Sequence, residues 1–217
     1  MRSAQSRALK SPAENNPASA RSSPDRFPAS ELPDGELSEL IRSWQLLLQG
    51  WADNGRLSRA AQIALNLPAD HPGLVDFVGK IAAGDFSELP TILALDWEAM
   101  EGSACAYAPE QRLILINKEW LENAVAEQVH AVLTDELGHH LDVLFNPVDT
   151  PGDEGELFLE CLRAGDPSED TRTIFRNEES TGVVHLHGET IAVEEAGVGA
   201  YCLDLRDLPH PSESPPA

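Results

Sequence analysis

The chain has 217 residues, 41% of them apolar, and a net charge of −22 at pH 7. That size and composition suit one domain with a real core. The acidic surplus repels nucleic-acid phosphates and anionic lipid headgroups, and no apolar run reaches the roughly eighteen residues a membrane span needs, so neither nucleic acid nor a membrane is expected as a partner.

Residues 1–33 read as a disordered tail. In the first thirty, Arg2, Arg7, Lys10, Arg21 and Arg26 face only Glu14 and Asp25 amid Ser, Ala and Pro. Pro12, Pro17, Pro24 and Pro28 would interrupt the amphipathic helix of a transit peptide, and no secretory pattern is legible. Taking the net +3 of residues 1–30 from the chain's −22 leaves −25 on residues 31–217. A soluble chain is expected, with secreted and cytoplasmic compartments both open. Cys105, Cys161 and Cys202 are odd in number, widely spaced and without a CxxC pair, which predicts buried thiols. No repeat, and no calcium-binding nonapeptide, is present.

After the tail, Leu37, Leu40, Ile41, Trp44, Leu47, Leu48 and Trp51 recur at helical spacing behind Asp34, a candidate cap. Further helices are predicted from Ser58 to about Leu67 and from Pro72 to Ala83, the latter stopped by Gly84. "TILAL" reads as a short buried strand, and residues 103–117 as a hairpin around "APEQ". A helical turn at Trp120–Asn123 precedes a long helix from about Ala126 to Phe145, ended by Pro147. A loop, a helix over 154–164 and a hairpin turning at His187 and Gly188 follow, and residues 209–217 form a second disordered tail. The class is α+β, with N-terminal helices, a small antiparallel sheet, a long helix carrying a polar cluster, and a C-terminal hairpin.

That cluster is "LTDELGHHLD", residues 133–142. With 100° per residue from Leu133, Ala126, Val129, Leu137, Leu141 and Leu144 fall within about 80° of it, a core face. Asp135, His139 and Asp142 lie within about 60° of one another on the opposite side, and Glu136 stands on the shoulder. Ligands at i and i+4 can hold one metal, and the residue after the first is placed to act as a base; this is the geometry behind HExxH. Here the pattern is DExxH, so Asp135 and His139 would bind the metal and Glu136 would activate its water. Acids on the solvent side of an amphipathic helix explain the same residues without chemistry. His140, at about −20°, falls on the apolar face and reads as a satisfied core histidine.

A third ligand is sought in "VDTPGDEGELFLE", which holds Asp149, Asp153, Glu154 and Glu156. Asp153 and Glu156 also form a capping box, which leaves Asp149 and Glu154 without capping duty. His185 and His187, two apart on a strand, read mainly as the outward face of a packed hairpin.

The block from "SACAYAPEQRLILIN" through "LTDELGHHLD" to "DTPGDEGELFLECL" resembles a domain of cyanobacterial proteins that often carry haemolysin-type calcium-binding repeats. The likeness spans roughly residues 55–196, and those relatives typically carry an acid at the place of Asp135. The order of "RLILIN" before the helix bearing Glu136 and His139 is similar to zincin metallopeptidases, whose edge strand pairs with an extended peptide. This resemblance implies one zincin-like domain over 34–208, a peptide or protein substrate, and a groove lined by residues 113–117.

Two functions fit the sequence. One is a metal-dependent hydrolase of peptidase type, with Glu136 as base and zinc held by Asp135, His139 and an acid drawn from Asp142, Asp149, Asp153 and Glu154. The other is a non-catalytic module in which the same carboxylates hold calcium or another metal, since calcium takes six to eight oxygens. Spacing does not separate them, and oligomeric state is not legible.

Overall fold

A computed structural model describes residues 34–148, 150–178 and 180–195. The tails at 1–33 and 209–217, the ligand candidate Asp149 and the thiol Cys202 lie outside the described residues. Among the described residues, no helix is long and apolar enough to cross a membrane.

Helix α1 (Asp34–Asp53) buries Trp44, Leu48 and Trp51, one stripe at i, i+4, i+7. It packs on α2 (Arg56–Ala64) and α3 (Pro72–Ala82). Pro72 opens α3 at a position whose N–H has no partner in the helix, and the His71 ring accepts from Leu74 N at 3.2 Å.

Five strands form one sheet in the order β1-β3-β2-β5-β4: β1 (Thr91–Leu95), β2 (Cys105–Ala108), β3 (Leu113–Asn117), β4 (Thr181–Leu186) and β5 (Glu189–Glu195). The α+β class holds, but the sheet is mixed where an antiparallel one is expected, because β1 and β3 run parallel. The link from Asp96 to Ala104 carries the chain past one strand position, and the β2–β3 hairpin then folds β3 back into the gap. As a result β3 is interior, paired on both sides and buried at every residue. The expected substrate groove along 113–117 is therefore closed, since no backbone donor or acceptor of an interior strand is left for a peptide.

The β4–β5 hairpin turns at His187 (φ 54) and Gly188 (φ 84), the two left-handed positions of a type I′ turn. Short α4 (Lys118–Leu121) is capped by Asn117, whose side chain accepts from Trp120 N at 3.1 Å. Helix α7 (Glu169–Phe175) has no counterpart in the sequence reading; it buries none of its residues, so it shows no apolar period.

The long helix α5 (Ala126–Phe145) is buried without interruption from Val129 to Asp142. One side meets α1, where Trp44 Nε1 donates to Thr134 Oγ1 at 2.9 Å. Another side meets β2, and the remaining side is covered by α6 (Glu154–Ala164) and β5. The polar face is thus not a solvent face. The α5–α6 approach is very close: a Cβ on Gly138 would lie 2.7 Å from the Gly155 Cα and 3.1 Å from the Phe158 Cβ.

Gly138→Ala is expected to lower stability by about 1–3 kcal/mol in chemical denaturation, the usual effect of forcing a methyl into a packed contact. Gly79→Ala is the control, because a Cβ there meets nothing within 4 Å in helix α3; it should be neutral or stabilising by up to about 1 kcal/mol.

Candidate metal centre

The helices that cross at Gly138 and Gly155 bring two acids of α6's start against the His139 ring. His139 Nδ1 lies 2.8 Å from Glu154 Oε1 and 2.7 Å from Glu194 Oε2. These three ligand atoms lie within 4.8 Å of one another, the spacing that one cation needs. On the other side of the ring, Nε2 stands 3.7 Å from Asp153 Oδ1, beyond hydrogen-bond reach. That edge packs on Gly155, where a Cβ would sit 2.5 Å from Nε2. Nδ1 is therefore the nitrogen presented to the two glutamates.

Glu194 is the site residue that sequence reasoning misses. It comes from β5, where it is the register partner of Tyr107 on β2. Paired residues in an antiparallel ladder share a face of the sheet, and Tyr107 faces α5, so Glu194 does too. Two acids at the end of an apolar strand carry no signal of this, because the pairing of β5 with β2 is not written in either strand.

Asp135, Glu136 and His139 are fully buried, Asp153 and Glu154 are each 3% exposed, and Glu194 is 17% exposed at its side chain. No Lys or Arg pairs with Asp135, Asp153, Glu154 or Glu194 among the described residues. Burying charges of one sign without a counter-charge costs several kcal/mol per ion, so the folded chain holds protons there or takes a cation. Burial acts to lower the His139 pKa, but the hydrogen bonds to Glu154 and Glu194 outweigh it and hold the imidazole well above its usual value. Burial pushes Glu154 up to about 7, against the opposing pull of His139. In Glu194 burial acts upward, yet the contact with His139 leaves its carboxyl below the ordinary range.

The sequence candidates separate in space. His139 and Glu154 come together with Glu194, while Asp153 joins Glu156 and Glu178 in a second group of acids. Asp135 stands in neither group; neither of its oxygens has a hydrogen-bond partner, and burial followed by the charge of Asp153 drives its pKa well up. Glu136 is hydrogen-bonded with the Cys105 thiol, whose own pKa is pushed up by burial and then by Glu136 and Asp135. Asp142 is engaged elsewhere. It accepts from Thr150 N at 2.9 Å, from the Thr150 hydroxyl and from Asn146 Nδ2, and so clamps the loop that leads into α6. His140 is a core histidine: Tyr107 OH lies 2.8 Å from its Nδ1, Nε2 lies 3.0 Å from the Glu88 carbonyl, and burial lowers its pKa to about 4. His185 pairs with exposed Glu101 at 2.8 Å.

Protein-family models, curated proteins and solved structures offer no match to this chain. The structure holds buried histidine, glutamate and aspartate side chains that could hold a metal ion.

A cation entering this site must displace the proton on His139 and the one Glu154 keeps up to about 7. Metal affinity is accordingly expected to rise with pH between 6 and 8, with proton release on binding. Calorimetry in buffers of different ionisation enthalpy checks both; an affinity flat across that range would remove His139 from the ligand set.

Proposed function

We propose that this chain is a divalent-metal-binding domain whose centre is His139 with Glu154 and Glu194. One observation carries the reading: carboxylates from α6 and β5, one buried and one mostly so, meet one buried imidazole, and among the described residues no Lys or Arg is paired with either of them. One nitrogen and two carboxylate ligands suit zinc, with manganese or ferrous iron as chemical neighbours. The ion would tie three elements together. Glu194 is the site's most exposed member and lies on the side from which an ion would enter.

A second reading, zincin-like hydrolysis, has one observation in its favour. Three protein ligands are the complement of a catalytic zinc, which keeps a fourth position for water. Asp135 and Glu136 would then complete the DExxH pattern, with Glu136 as base. Weighing against it, Glu136 is fully buried and hydrogen-bonded with Cys105, and the strand proposed for peptide pairing is interior. The structural role therefore ranks first.

Metal analysis of chain purified without chelators separates the readings. A structural centre is expected to hold near-stoichiometric zinc that is lost in His139→Ala and Glu194→Gln, kept in Glu136→Gln, and accompanied by a fall in Tm on chelation. Peptide cleavage by wild type that Glu136→Gln abolishes would promote hydrolysis. Absence of any bound transition metal, with Tm indifferent to chelators, would sink both.

A further inference from the structure

Neighbouring residues of α5 serve two different places. His139 meets the acids of α6 and β5, while His140 lines a separate cavity of about 440 Å³. The cavity lies between the start of α3, residues 87–91, the β2–β3 turn and the end of α5, and it shares no residue with the His139 centre. Its volume is within the range of small-molecule sites, about 300–1,000 Å³. The apolar wall is held in place: Phe145 has ring contacts with His71 and Phe77 at 5.4 and 6.2 Å, and a Cβ on Gly73 would come within 3.0 Å of its ring. Leu89, Pro90 and Leu144 extend this wall. His140 adds a ring and no charge. Its Nε2 donates to the Glu88 carbonyl, so in the neutral ring Nδ1 accepts from the Tyr107 hydroxyl.

Two polar groups of the β2–β3 turn are left over. Gln111 lines the cavity, and its Oε1 is buried with no donor within reach, an arrangement that costs free energy. Beside it, the Arg112 guanidinium takes part in no hydrogen bond or ion pair among the described residues. The two acids that line the cavity, Asp76 and Glu88, are both held by Lys80, at 2.6 and 2.7 Å. Arg112 also has φ 54, a left-handed conformation that favours glycine. The turn keeps an arginine where glycine is easier, and strain of that kind collects at binding sites.

We propose that this cavity binds the carboxylate end of an acylated apolar amino acid, either free or as the last residue of a peptide. Arg112 takes the carboxylate in a two-point contact, Gln111 Oε1 accepts from the amide N–H, and the side chain lies against Phe145, Leu89 and Leu144. Each group that the fold leaves without a partner is thus met by one part of the ligand. A neutral N–H suits Gln111 better than an ammonium, because the acids that would meet a second positive charge are already engaged by Lys80. The site is independent of whether the His139 centre holds a metal.

The experiment is calorimetric titration of the full chain with N-acetyl-L-phenylalanine, with its carboxamide, and with a hexapeptide of five glycines and a terminal phenylalanine, each with and without chelator. Expected is saturable binding of one acid per chain, unchanged by the chelator. Affinity should fall about tenfold or more for the carboxamide and in Arg112→Gly, the size of a lost hydrogen bond to a charged group. Arg112→Gly relieves the left-handed strain, so its Tm without ligand should be equal to wild type or higher, which separates lost binding from lost folding. Gln111→Leu removes the buried acceptor and should weaken binding without lowering Tm. Tighter binding of the hexapeptide than of the acetylated residue assigns the site to a chain end, and equal binding assigns it to the single residue. No saturable binding of either acid, equal affinity for acid and carboxamide, or an affinity untouched by Arg112→Gly overturns the proposal.

Discussion

Everything at the candidate centre depends on how closely α5 and α6 approach at Gly138 and Gly155. A Cβ on either glycine would meet backbone of the other helix at 2.7 Å. Two helices carrying side chains at their crossing stand 8–10 Å apart, and glycines let them come nearer. Here that closeness sets the first turn of α6 against the fourth turn of α5, so Asp153 and Glu154 reach the side of the helix where Asp135 and His139 project. The loop that delivers α6 is fixed from two sides. Asp142 clamps it through Thr150 and Asn146, and the Gly152 backbone packs on Arg176 so tightly that no side chain fits there.

The electrostatic consequence follows from that packing. A carboxylate in water is stabilised by solvent; withdrawn from it, the group must find a positive partner or bind a proton. Asp135, Glu154 and Glu156 all show the second response, with burial first among the causes in each. His139 shows the first, becoming the one positive group between Glu154 and Glu194. A single imidazolium does not neutralise the acids on both sides of its ring. Cations compete for the same places as these protons, which is why metal and pH are linked at the site.

Much of the local structure is legible in the sequence. The boundaries of α5 and α6 follow from apolar period, Pro147 and the Asp153 cap, and the positive-φ pair His187–Gly188 marks its hairpin. The helical wheel puts Asp135, His139 and Asp142 on one side, yet His139 joins Glu154 and Glu194, Asp135 stands in neither acid group, and Asp142 holds the loop through Thr150 and Asn146. A wheel gives the angle of a side chain and not its height along the axis, and Asp142 is two turns past Asp135, where the neighbour is no longer α6. The wheel also implies a solvent face that does not exist, because what covers a helix is decided by elements distant in sequence. Glu194 and the interior place of β3 are illegible for the same reason: both depend on strand order.

Adjacent His139 and His140 show how far that order reaches. They share a helix and are both buried, yet one is held charged and the other neutral. The difference lies in the partners. His140 meets a phenol and a carbonyl, neither of which favours the imidazolium as a carboxylate does, whereas His139 meets two carboxylates. Tyr107, which holds His140, and Glu194, which meets His139, are register partners on β2 and β5. One ladder contact therefore sets the rotation of α5 against the sheet and places the acid beside Nδ1. A slip of β5 by one residue that put Val193 opposite Tyr107 would turn Glu194 to the opposite face, where Val193 now packs with Val184 and Leu115, and would bring an apolar side chain to the imidazole. The chemistry of the centre is in this sense a property of strand register as much as of the helix motif that first draws the eye.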